Sequence, residues 1–183
     1  MKIDITDDIR KRAKAPHELY MVNMFLFNIP MVAGTLAYTI GGKVMLVWAV
    51  IGALLVSLGI VGFIHMKAGQ AEKSAPWFVM LHWKLSMKRS RILLIGYAVA
   101  IVIIGAGILI GSGMADKNMQ AIMTTVFTRI GIVPALLIIL VTAILEGQAM
   151  HLVNNGIAPK KLAERFPPPG DVRILESDNE DAS

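Results

Sequence analysis

Apolar residues in this chain run in long unbroken stretches and do not alternate with polar ones. The first stretch covers about Leu19 to Ile40 and stops at Gly41-Gly42-Lys43. The second covers about Val44 to Ile64 and stops at His65-Met66-Lys67. The third covers about Ile92 to Met114 and stops at Ala115-Asp116-Lys117. The fourth begins between Gln120 and Ile130 and ends between Leu145 and Leu152. A helix of about 20 apolar residues crosses the roughly 30 Å hydrocarbon core of a bilayer. No ten-residue alternating pattern recurs, as a membrane barrel would require. The pattern predicts an all-α integral membrane protein of four transmembrane helices, arranged as two hairpins.

Between the second and third stretches lies "WFVMLHWKLSMKRSR", Trp77 to Arg91. Trp77, Met80, Leu81, Lys84, Leu85 and Lys88 fall on one helical side, with Ser74 as a cap and Pro76 in the first turn. The expectation is an interfacial amphipathic helix over about 75–90. Trp77 and Trp83 anchor it, while Lys84, Lys88, Arg89 and Arg91 reach anionic lipid headgroups. The domain plan is therefore a segment 1–18, a membrane domain 19–152, and a tail 153–183. In the tail, Asn155-Gly156 marks a turn and "PPPG" an extended linker, and the acidic end "DVRILESDNEDAS" is expected to be disordered in its last part.

Charge supplies the orientation. Of the 18 Lys and Arg residues, 15 fall in the segment before helix one, the connection between helices two and three, and the tail. Only Lys43, Lys117 and Arg129 fall on the other side. The positive-inside rule then places both termini in the cytoplasm, in a bacterial-type inner membrane. The N-terminal segment mixes acids and bases and is not expected to be a cleaved signal. Composition agrees, with 55% hydrophobic and 17% charged residues in 183. With no cysteine, thiolate metal sites and cysteine nucleophiles are excluded within this chain. The basic residues interleave with apolar ones, so lipid is a better partner than nucleic acid.

Chemistry is sparse, and no enzyme is expected. His17, His65, His82 and His151 show no three- or four-residue spacing, so no helix presents a ligand pair. His65 and His151 are the remaining candidates for a haem. Glu146 and Arg129 bracket "IGIVPALLIILVTAIL", about 25 Å along a helix. An intramembrane charge is a functional candidate, Glu146 above all, with Gln148 and His151 close in sequence. Asn28 is an intramembrane polar candidate in helix one, beside Asn23 and Pro30. Gly96, Ala100, Gly107 and Gly111 offer small-residue contact faces, within the bundle, to other membrane subunits, or in self-association. The leading expectation is a small accessory subunit of a larger membrane complex. The alternative is a small oligomeric transporter or channel for an ion or small solute, in which Asn28, Thr35, Ser57 and Thr142 would converge. A redox subunit with a cytoplasmic-side haem or quinone is the third.

Overall fold

The structure, a computed structural model, describes residues 1–42, 44–170 and 172–176. Its elements in chain order are β1 (Lys2–Ile3), α1 (Asp7–Asn23), a π turn (Met24–Asn28), α2 (Ile29–Gly41), α3 (Val44–Ser74), α4 (Trp77–Ser112), α5 (Lys117–Asn154), α6 (Lys160–Arg165) and β2 (Ile174–Glu176). The architecture is all-α apart from the two-stranded β1–β2 pair. Four helical stretches are long and apolar enough to cross a membrane: Asp7–Gly41, Val44–Ser74, Trp77–Ser112 and Lys117–Asn154.

Each helix outruns its apolar stretch. α3 carries on ten residues past Ile64, to Ser74, because no proline interrupts it before Pro76 and the single Gly69 is tolerated. The stretch 77–90 and the third apolar run form one helix, α4, since no proline or glycine separates them before Gly96. Ser74 does not cap α4. Its hydroxyl donates back to the Gln70 carbonyl at 3.2 Å, ending α3. The fourth helix starts at Lys117, earlier than the apolar pattern indicated, with Asp116 accepting from the Asn118 N–H at 2.8 Å.

The chain divides into two compact units. Unit one comprises residues 1–21, 60–90 and 144–183. Its core is formed by Ile3, Ala13, Ala71, Phe78, Val79, Met80, Leu81, Val153 and Ala158, with Leu162, Ala163 and Phe166 packed against it. Residues 78–82 are all buried, so this stretch of α4 serves as core of the unit. The end of α5 is closed by Gly156 at φ +65, with Ile157 N–H donating to Leu152 and Gly156 N–H to Val153. A Cβ there would lie 2.7 Å from the Ile3 carbonyl. That reversal carries Ile157 beside Lys2, and β2 then pairs antiparallel with β1. Trp77 Nε1 donates to the Phe166 carbonyl at 2.8 Å, tying the tail to α4. Residues 177–183, where the acidic end was expected to be disordered, lie outside the described residues.

Unit two comprises residues 22–59 and 91–143. Its helices are packed through glycine. A Cβ on Gly107 would fall 2.2 Å from Phe127 Cβ, one on Gly96 3.0 Å from Ile138, and one on Gly131 2.9 Å from Ile104. A Cβ on Gly111 would lie 3.2 Å from the Gln120 carbonyl oxygen, and one on Gly131 3.3 Å from the Ala100 carbonyl oxygen. The small residues singled out on α4 are thus spent on contact with α5. The opposite surface is apolar: Ile40, Met45, Trp48, Val102 and Leu109 are each more than two-thirds exposed. Between 11% and 33% of each apolar window is buried, and the fully buried positions of unit two include Asn28, Ser57 and Thr142. So large an exposed apolar surface around buried polar groups is not what water selects.

Candidate functional site

In unit one, four polar side chains from three helices meet in the interior. α1 brings His17, α4 brings His82 and Arg89, and α5 brings Glu146. His17, His82 and Glu146 have no exposed surface, and Arg89 has 8%. His17 Nδ1 lies 2.6 Å from Glu146 Oε2, and His17 Nε2 lies 3.0 Å from His82 Nδ1. Arg89 donates to the Leu145 carbonyl and, at 3.4 Å, to Glu146 Oε1. The Phe78 ring packs edge-on to His82 at 4.6 Å between centroids. Ser86 donates to the Pro16 carbonyl at 3.3 Å, fixing α1 next to α4 one residue before His17.

With Glu146 ionised and His17 neutral, Glu146 accepts from His17 Nδ1–H, and His17 Nε2 then accepts from His82 Nδ1–H. His82 Nε2 is then a bare lone pair, buried and without a partner among the described residues. The arrangement is a chain with a carboxylate at one end and an open nitrogen at the other.

A second polar cluster lies in unit two. Asn28 Nδ2 donates to the Asn23 carbonyl at 2.9 Å and to Ser57 Oγ at 3.1 Å. Ser57 Oγ and Tyr97 OH are 2.6 Å apart, and Tyr97 OH donates to Asn28 Oδ1. Read with Ser57 as donor to Tyr97, these bonds form a closed ring in which every group is used. The π turn makes it possible, since Ile29 N–H bonds Met24 O and Pro30 at the next position has no N–H to give. Such a ring fixes helices and needs no ligand. The Asn23 amide is different: it is fully buried, and neither its oxygen nor its nitrogen has a partner among the described residues. Unit two also contains a cavity of about 420 Å³ whose lining includes Tyr38, Thr39, Lys117, Gln120, Thr124, Thr125 and Thr128.

The other residues singled out in the sequence fall as follows. Arg129 is exposed and donates from Nε to Thr39 Oγ1 at 3.3 Å. Thr35 bonds its own helix at the Met31 carbonyl, and Thr142 reaches Met24 Sδ at 3.3 Å. His65 Nε2 pairs with Ser90 Oγ at 3.0 Å, while His151 is exposed beside Asn155. Among the described residues, no group of three or more His, Cys, Asp or Glu is arranged to hold a metal.

The basic residues expected at the lipid surface have different surroundings. Lys88 and Arg91 are exposed. Lys84 pairs with Glu72 at 2.8 Å and lies 4.5 Å over the Phe166 ring. Arg89 points inward, where the fully buried Glu146 carboxylate requires a cation. Gln148 and His151, the sequence neighbours of Glu146, are both exposed and belong to a different face. His17 and His82 were missed as partners because they stand 129 and 64 residues before Glu146. No local spacing reports such a contact.

Together these features define a predominantly helical chain with, among the described residues, four membrane-length helices and a buried acid–histidine–histidine chain. No family model, curated protein or solved structure matches it.

Proposed function

We propose that this chain is a small integral membrane carrier of the proton-coupled kind, with four spans, both termini in the cytoplasm, and a working cycle that loads a proton onto the His82–His17–Glu146 chain. The observation that carries the reading is the buried Glu146 carboxylate joined through two imidazoles to an unpartnered nitrogen. A buried ion pair is poor at adding stability, whereas ionisable groups inside membrane proteins serve relays and ion paths.

The step balances without a further reactant. A proton arriving at His82 Nε2 releases the Nδ1 proton to His17 Nε2, and His17 passes its own Nδ1 proton to Glu146. Both imidazoles end neutral in the opposite tautomer, and the carboxylate becomes a carboxylic acid. Arg89 then loses its counter-charge, which gives the protonated state a reason to repack. The hydroxyl-lined cavity in unit two is the candidate solute pocket.

The accessory-subunit expectation loses one of its grounds, because the α4 glycines are engaged within the chain. Purification in mild detergent separates the two readings: a carrier is recovered without stoichiometric partner chains. The direct test is a pH jump on proteoliposomes adsorbed to a capacitive electrode. Wild type should give a transient current that Glu146→Gln and His82→Phe abolish. A wild-type signal no larger than that of protein-free liposomes refutes the proposal.

A further inference from the structure

We propose that a groove formed by α1, α3 and α4 within unit one is a binding site for the phosphate of an anionic phospholipid. The site rests on the membrane-spanning reading above, but not on the proton chain. The groove measures about 280 Å³. Its lining includes Arg12, Lys67 and Gln70, the apolar Ala71 and Val79, and Trp83. No acid lines it.

The charges there are available. Lys67 makes no ion pair among the described residues, and its ammonium lies 5.7 Å from the Phe63 ring centroid. Arg12 lies 3.6 Å from Asp8, an exposed pair on the same helix that competes weakly with a phosphate. The cations that the sequence assigned to lipid are partly committed elsewhere, Lys84 to Glu72 and Arg89 to Glu146. Lys67 follows directly on the second apolar stretch, which sets it at headgroup depth. Phe63 and Trp83, edge to face with 6.4 Å between centroids, mark the same level as an aromatic pair.

The chemistry fits a phosphodiester. The Arg12 guanidinium matches two phosphate oxygens, Lys67 adds a point charge, and the Gln70 amide can donate. Ala71 and Val79 are buried and apolar, suited to the first carbons of a glycerolipid and offering nothing to a free hydrated ion.

The test is native mass spectrometry of the detergent-solubilised full chain, with phosphatidylglycerol, phosphatidylcholine or inorganic phosphate added separately. Wild type should retain phosphatidylglycerol in preference to phosphatidylcholine. The double variant Arg12→Gln/Lys67→Gln should lose roughly thirtyfold in that affinity, at about a factor of five per cation. Lys88→Gln/Arg91→Gln, exposed and off the groove, should keep it. Equal phosphatidylglycerol retention by both double variants overturns the proposal, as does an inorganic phosphate adduct that displaces the lipid. Release of wild type from membranes by alkaline carbonate would instead sink the spanning reading, and this site with it. Retention through that wash together with no lipid preference sinks the site alone.

Discussion

Replacing Glu146 by Gln keeps the shape of the side chain and an acceptor oxygen for His17 Nδ1–H, but removes the negative charge. Arg89, 8% exposed, is then left beside a neutral amide, with the Leu145 carbonyl as its remaining strong acceptor. Breaking a buried pair by removing one charge costs about 3–5 kcal/mol, most of it from the stranded partner. For a chain of 183 residues this converts to a fall in Tm of about 6–20 °C. The assay is thermal unfolding in detergent followed by tryptophan emission, since Trp77 and Trp83 both lie in unit one. The double variant Glu146→Leu/Arg89→Met removes both charges at similar volume, and should recover much of the loss even though His17 then lacks its acceptor. A Glu146→Gln Tm within 2 °C of wild type, roughly below 1 kcal/mol, would refute the idea that Glu146 is held as the counter-ion of Arg89.

Three further outcomes follow from the same geometry. His82→Phe removes the partner that lies 3.0 Å from His17 Nε2 and should cost about 1–3 kcal/mol in that unfolding assay; no change would mean the imidazole pair does not hold α1 to α4. Tyr97→Phe opens the Asn28–Ser57–Tyr97 ring and strands Asn28 Oδ1, at a cost of about 1–2 kcal/mol in the same unfolding assay; no change would mean the ring does not hold the helices. Gly107→Ala places a methyl 2.2 Å from Phe127 Cβ and should cost about 1–3 kcal/mol, whereas Gly52→Ala, with nothing within 4 Å, should be neutral or slightly stabilising.

What the sequence alone determined is the class of object. Runs of apolar residues, their stops at Gly41-Gly42 and Ala115-Asp116, and the turn at Asn155-Gly156 all depend on residues adjacent along the chain, and each falls at or beside an observed break. The helix ends at Ser74 and Trp77 were less legible, because an apolar run ends where polarity begins while a helix ends only where a backbone hydrogen bond fails. Glu146 and Asn28 were visible as polar residues in apolar surroundings, since an isolated polar group in such a run must be satisfied somewhere. What satisfies each was decided by tertiary structure alone. Glu146 turns to His17 and Arg89 and not to Gln148 or His151, and Asn28 finds Ser57 and Tyr97, because three helices bring together residues tens of positions apart. Arg89 shows the limit most plainly. Its sequence neighbours Lys88 and Arg91 are exposed, yet the turn of α4 that carries Arg89 faces the interior, where a buried carboxylate requires a cation.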